Sequence, residues 1–146
     1  MSLRAINFPS DGTSVHAGMG DFLFLSPDKA HRAEVIYEGE PPFGDSFHAL
    51  SVDDVSFPGH VWGCNFAWSP CSRYLVCSWM PQSPEKWIRR TIIIDIVNRR
   101  YFHLLDYFYD FIFDGVDLVE VVLDRDRGVR SAHSYTLNGG EVWIAY

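Results

Sequence analysis

The sequence predicts an all-β domain built of antiparallel strands with short connections. Three observations point there. Apolar and polar residues alternate with period 2 along most of the chain, which is the pattern of half-buried strands. The apolar runs are rich in β-branched and aromatic residues, and aromatics alone make up 16% of 146 residues. No segment keeps a clean helical period over about ten residues.

Taken in order, the first strand is expected at Asp21–Leu25, closed by Ser26-Pro27-Asp28, with a return at Ala33–Glu38. Glu38 to Asp45 is a Pro/Gly loop leading into Phe47–Val52. Strands at Val61–Trp68 and Tyr74–Trp79 flank Ser69-Pro70-Cys71-Ser72, whose residue types favour a tight turn. Met80 to Pro84 is a second Pro loop, and Ser83–Ile88 is expected to form one helical turn with Ser83 as cap and Pro84 in its first position. Thr91–Val97 and Tyr101–Leu105 are joined by Val97-Asn98-Arg99-Arg100. Strands are further expected at Tyr107–Phe113, Leu118–Leu123, Ala132–Leu137 and Glu141–Tyr146. Asn138-Gly139-Gly140 between the last two predicts a hairpin, because Asn and Gly accept the positive φ such turns need. The loops are too short to separate domains, so residues 1–146 are expected to form a single β domain.

A weak repeat runs through this pattern. Phe24-Leu25-Ser26-Pro27-Asp28 followed by Ala33-Glu34-Val35-Ile36-Tyr37 aligns with Ala67-Trp68-Ser69-Pro70-Cys71 followed by Tyr74-Leu75-Val76-Cys77-Ser78. Ser26 and Ser69 are 43 residues apart, within the ~40–45-residue period of one propeller blade. Phe66-Ala67-Trp68-Ser69-Pro70-Cys71-Ser72-Arg73-Tyr74-Leu75 resembles the blade motif of WD-type and TolB-type β-propellers, roughly F-x-W-S-P-D-G-R-Y-L. Ile94-Asp95-Ile96, a turn and Tyr101-Phe102-His103-Leu104 are similar to the later strands of such a blade. Cys71-Ser72 stands where the motif has Asp-Gly, so the turn is less sharply specified. The resemblance implies antiparallel meanders like propeller blades. A closed ring needs at least about four blades, and this length holds about three, so an incomplete propeller, open curved sheet or sandwich is expected. Its open side is covered by the sheet's own packing, by a second copy in a homo-oligomer, or by a partner.

Composition narrows the function. Twelve basic against 19 acidic residues give a net charge of −7, which argues against a nucleic-acid binder. No apolar run approaches the ~18 residues of a membrane helix, and the N-terminal residues lack the apolar middle of a secretory signal, so a cytoplasmic protein with no membrane association is expected. Cys64, Cys71 and Cys77 have neither an even count nor zinc-knuckle spacing; they are expected to be strand thiols, with Cys71 exposed in a turn. No phosphate loop, nucleophile elbow or paired metal histidines occur, so no cofactor, metal or catalytic residue is expected. Asp53-Asp54, Glu38 with Glu40, and Asp124 with Asp126 read as solvated loop charges.

Asp106 to Glu120 carries five acids and no base. Read as a strand, Asp106, Phe108, Asp110, Ile112 and Asp114 share one face, and Tyr107, Tyr109, Phe111 and Phe113 the other. A face of carboxylates and apolar side chains suits a protein partner: apolar groups anchor, and acids steer a basic ligand. Asp106, Phe108, Asp110, Ile112, Asp114, Asp117 and Glu120 are therefore the expected partner-binding residues, with Trp79, Trp87 and Arg89-Arg90 around the Pro loop as a second patch. A compact, acidic, aromatic domain free of catalytic motifs is similar in character to the immunity proteins of polymorphic-toxin secretion systems. That likeness implies an inhibitor that blocks a basic toxin or effector without catalysis of its own. The alternatives are a propeller-like scaffold or oligomerisation module, and an enzyme whose site is assembled from scattered Cys, His and Asp.

Overall fold

The computed structural model describes residues 3–42, 44–81, 87–124 and 128–146 (for 123, 124 and 128–132 the backbone alone). Its fourteen strands are β1 (Arg4–Asn7), β2 (Val15–His16), β3 (Phe22–Leu25), β4 (Arg32–Gly39), β5 (Phe47–Val52), β6 (Val55–Ser56), β7 (His60–Trp68), β8 (Tyr74–Met80), β9 (Arg90–Asp95), β10 (Arg100–His103), β11 (Phe111–Phe113), β12 (Asp117–Asp124), β13 (Gly128–Thr136) and β14 (Ile144–Ala145). No helix occurs among the described residues. The fold is all-β.

Eleven strands make one open sheet, in the order β1-β3-β4-β5-β7-β8-β9-β10-β14, with β2 beside β7 and β6 beside β5; β11, β12 and β13 make a second. Pairing is antiparallel with one exception: β1 runs parallel to β3, Arg4 opposite Phe22. The expectation of purely antiparallel strands is corrected there. β1 and β2 are short and carry no period-2 signal, so the alternation that marks the other strands is missing from them.

The large sheet folds onto itself at β7. The start of β7 pairs with β5, Phe47 opposite Trp62, and its end pairs with β2, Val15 opposite Phe66. Between these the register with β8 shifts. Gly63 sits in the shift. A Cβ there would come within 2.5 Å of Ser46 Oγ and 2.6 Å of both Gly18 O and His48 Nε2, so only glycine allows the approach.

The result is three stacked layers. β3–β5 present Phe22, Phe24, Ala33, Val35, Leu50 and Val52 to one face of β7–β10, formed by Phe66, Trp68, Leu75, Cys77, Ile92, Ile94 and Tyr101. Phe24 meets Phe66 edge-to-face at 4.8 Å, and Phe57 meets Tyr101 at 5.0 Å. The opposite face of β7–β10, with Ala67, Val76, Ile93, Phe102 and Leu104, packs on Phe108, Phe111, Phe113 and Leu118 of the third layer. The middle layer is buried on both faces, which explains its sequence. β8 and β9 are buried throughout after their first residue, so Leu75-Val76-Cys77 and Ile92-Ile93-Ile94 run apolar without alternating. β5, with one face outward, keeps the alternation.

The two Ser-Pro turns are equivalent residue by residue. Ser26 N donates to His31 O, Lys29 N to Ser26 O, and His31 N to Ser26 Oγ; Ser69 N donates to Tyr74 O, Ser72 N to Ser69 O, and Tyr74 N to Ser69 Oγ. Lys29 and Ser72 take the same left-handed conformation, φ 63° and 65°. The turn is thus fully formed even with Ser72 where a glycine would be expected.

Three other expectations are corrected. Only Phe111–Phe113 of the Tyr107–Phe113 run is strand. Thr91 Oγ1 accepts from Phe108 N at 2.7 Å and donates to Phe108 O at 3.3 Å, holding that segment as a loop. The Asn138-Gly139-Gly140 turn makes no hairpin: β13 lies in the small sheet and β14 pairs with β10. Glu141 accepts from Asn138 N, Gly139 N and Tyr135 OH, and the chain is redirected from one layer to the next. Of Glu141–Tyr146, only Ile144–Ala145 is strand. The helical turn expected at Ser83–Ile88 falls largely on 82–86, outside the described residues.

Candidate interaction surface

The β11–β12 hairpin gathers most of the acidic residues singled out in the sequence. Residues 12–14 lie antiparallel along β11: Thr13 bridges Ile112, and Phe113 N donates to Gly12 O at 2.9 Å. Gly12 permits this with φ 80°, and a Cβ on it would stand 2.0 Å from Phe113 O. In that register Asp11 is level with Asp114. Asp110 accepts from Ser14 Oγ and from Phe111 N, which ties the loop to the hairpin from the other end. Asp114 Oδ1 closes the β11–β12 turn, accepting from Val116 N at 2.8 Å and Asp117 N at 2.7 Å. Asp117 Oδ1 accepts from Thr136 Oγ1 at 2.6 Å. Ile112 and Val116 are exposed among these carboxylates, 39% and 53%.

Two carboxylates of this ridge are held in their charged form by local hydrogen bonds. Hydrogen bonds from the Thr13 hydroxyl and amide keep Asp11 below its usual carboxylate range. The backbone amides of Asp117 and Val116 do the same for Asp114. Among the described residues, none of Asp11, Asp110, Asp114 and Asp117 is ion-paired to lysine or arginine. Asp11 is the member that sequence reading missed; it stands outside any periodic run, in an Asp-Gly pair whose partner strand lies a hundred residues away.

The remaining candidates divide. Asp106 is exposed, beside a fully exposed Leu105. Phe108 is 1% exposed and belongs to the core; the loop conformation of 106–110 turns it inward and leaves Tyr109 outward, so the expected faces are exchanged there. Glu120 is buried, its Oε1 2.6 Å from His133 Nδ1 and its Oε2 accepting from Tyr109 N at 3.4 Å. Hydrogen bonding to Glu120 raises the His133 pKa. Trp79 is also core: it packs on Phe57 and Tyr101, and its Nε1 donates to Pro58 O at 2.8 Å. These three side chains are not available to a partner. Trp87 is 52% exposed, against Phe47 and Trp62. Arg89 lies 4.2 Å over the Trp62 ring and pairs with Asp45 at 2.8 Å. Trp87 stands with that cluster, apart from the acidic ridge.

Cys64 and Cys77 are buried free thiols, and burial raises the pKa of both; Cys71 is exposed. Among the described residues no three His, Cys, Asp or Glu side chains are grouped to hold a metal ion. A cleft of about 530 Å3 contains Glu38, Ser56, His60 and Tyr146, with Glu38 Oε1 2.7 Å from His60 Nδ1; no serine or cysteine side chain hydrogen-bonds His60 among the described residues. No helix among them is long and apolar enough to cross a membrane. Comparison with protein-family models, with curated proteins and with solved structures finds no match to this chain.

Proposed function

We propose that this chain is a non-catalytic protein-binding domain that blocks a basic partner, in the manner of a toxin-immunity or effector-inhibitor protein. One observation carries the reading: Asp114 and Asp117 of the β11–β12 hairpin, Asp110 just before it and Asp11 on the segment laid along β11 surround exposed Ile112 and Val116. The negative charge of these four aspartates draws a cationic protein in, and the apolar groups between them give it contact area. A toxin that binds phosphate presents the complementary charge.

The test is binding to the product of the reading frame beside this gene, measured by calorimetry over a salt series. Asp110→Asn, Asp114→Asn and Asp117→Asn together keep the Oδ1 acceptor that each residue uses and remove three charges. Association is expected to slow about tenfold or more at low salt. Binding unaffected by both salt and the triple variant overturns the reading.

A propeller-like scaffold is the second reading, favoured by the equivalent Ser26 and Ser69 turns and by three layers stacked face to face as blades stack. Under that reading the outer layers are surfaces for further sheets.

A further inference from the structure

We propose that β14 receives an extended segment of the partner as an added strand, with apolar side chains of that segment seated in the groove beside it. The inference rests on the protein-binding reading and names where an extended part of the partner goes.

Three exposed large apolar residues, the two most exposed among them, share this one place. Leu105 is 101% exposed, Val142 84% and Ile144 45%, and all three line a groove of about 440 Å3 that also includes Phe102, Leu104 and Tyr135. Single exposed apolar residues are ordinary, but several around one concavity mark a contact surface. β14 ends the path of the large sheet. Its ladder to β10 uses Tyr146 N, which donates to Arg99 O, and pairs Ala145 opposite Arg100. By the alternation of antiparallel bonds, Ala145 therefore turns its N–H and C=O away from β10. An unpaired edge beside an apolar groove is the setting for strand addition: the main chain bonds the edge while alternate side chains enter pockets.

Charge selects the occupant. β14 lines two depressions, Ile144 the groove and Ala145 with Tyr146 the cleft that holds Glu38 and His60. Among the described residues no lysine or arginine lines either. Glu141 lines the groove and Asp106 follows Leu105 directly. Of the two arginines beside β14, Arg100 is tied down, its Nε 2.9 Å from buried Asp95 and its guanidinium 4.4 Å over Trp143, and Arg99, exposed in the turn before β10, is not among the residues lining either depression. A segment that alternates apolar with basic side chains fits; a second copy of this chain, at net charge −7, does not.

Two synthetic peptides of equal length test this on the full chain: alternating Leu-Lys, and poly-Lys. The Leu-Lys peptide is expected to shift the amide resonances of Leu105, Val142 and Ile144 and to slow hydrogen exchange at Ala145. Leu105→Ser with Val142→Ser, and separately Ala145→Pro, are each expected to weaken it about tenfold, with poly-Lys unaffected. Proline is tolerated where the edge N–H faces outward. Equal affinity for both peptides, or variants without effect, overturns the strand-addition proposal and leaves the acidic-surface reading standing. Binding of neither overturns both. Concentration-dependent dimers that Val142→Ser abolishes assign the groove to a second copy instead.

Discussion

The backbone amide of Asp28 donates to the hydroxyl of Ser72 at 3.0 Å. These residues sit in the two equivalent Ser-Pro turns, one position apart in the shared register, so the repeats touch turn to turn. Ser72 carries the left-handed backbone of its own turn and cross-links it to the other.

Asp28 and Cys71 occupy the same slot, and only Asp28 fills it well. Its Oδ1 accepts from Ser26 Oγ at 2.6 Å and Ala30 N at 2.9 Å, whereas Cys71 Sγ makes a single weak contact, 3.3 Å from Ser69 Oγ. Cys71→Asp is expected to stabilise the chain by about 1 kcal/mol, one net hydrogen bond. Chemical denaturation reads the change; a lower midpoint refutes the equivalence of the turns.

Asp95 is fully buried and holds Arg73, Arg100 and Asn98 together. Burial opposes its charge, but hydrogen bonds from Arg73, Asn98 and Arg100 overcome that and bring its pKa down to about 2. Its folded value lies below its unfolded one, so its stabilisation is present above the unfolded carboxylate range and is lost as pH falls through about 2. Asp95→Asn is expected to cost about 2 kcal/mol at neutral pH and to flatten the acid limb of the stability profile. An unchanged acid limb contradicts this.

His133 behaves in the opposite sense. Its pKa is raised by Glu120, so the pair stabilises fully below the ordinary histidine value and the contribution fades as pH rises through the folded value. NMR titration is expected to show His133 titrating above a free histidine, and Glu120→Gln to return it. No upward displacement means the pair does not persist in solution.

Trp79 and Trp87 look alike in sequence and differ in place. Trp79→Ala empties a buried site between Phe57 and Tyr101 and is expected to cost about 3–5 kcal/mol. Trp87→Ala removes a half-exposed ring and is expected to cost about 1 kcal/mol or less. Thermal unfolding of the two variants separates them; equal losses do not fit the packing described.

The strand content was legible because most strands alternate or run apolar, and Ser-Pro marked two of the turns that reverse the chain. What stayed hidden depends on distant contacts. β1 and β2 owe their pairing to neighbours far along the chain, not to their own pattern. Phe108 reads as one residue of an alternating strand until Thr91 clamps its backbone into a loop and turns the ring inward. The acidic run was visible, but Asp11 joins it only through Gly12 lying against Phe113, a contact no local period announces. Leu105 and Val142 were invisible as a pair because they line one groove only once β14 has crossed to β10.

The middle layer gives half its surface to each neighbour. Removing either outer layer would bare a wall of Ile, Val and Phe to water, so neither can detach alone at small expense. The polypeptide should therefore lose its structure in one concerted step, and cleavage within any single hairpin should release all three tiers together.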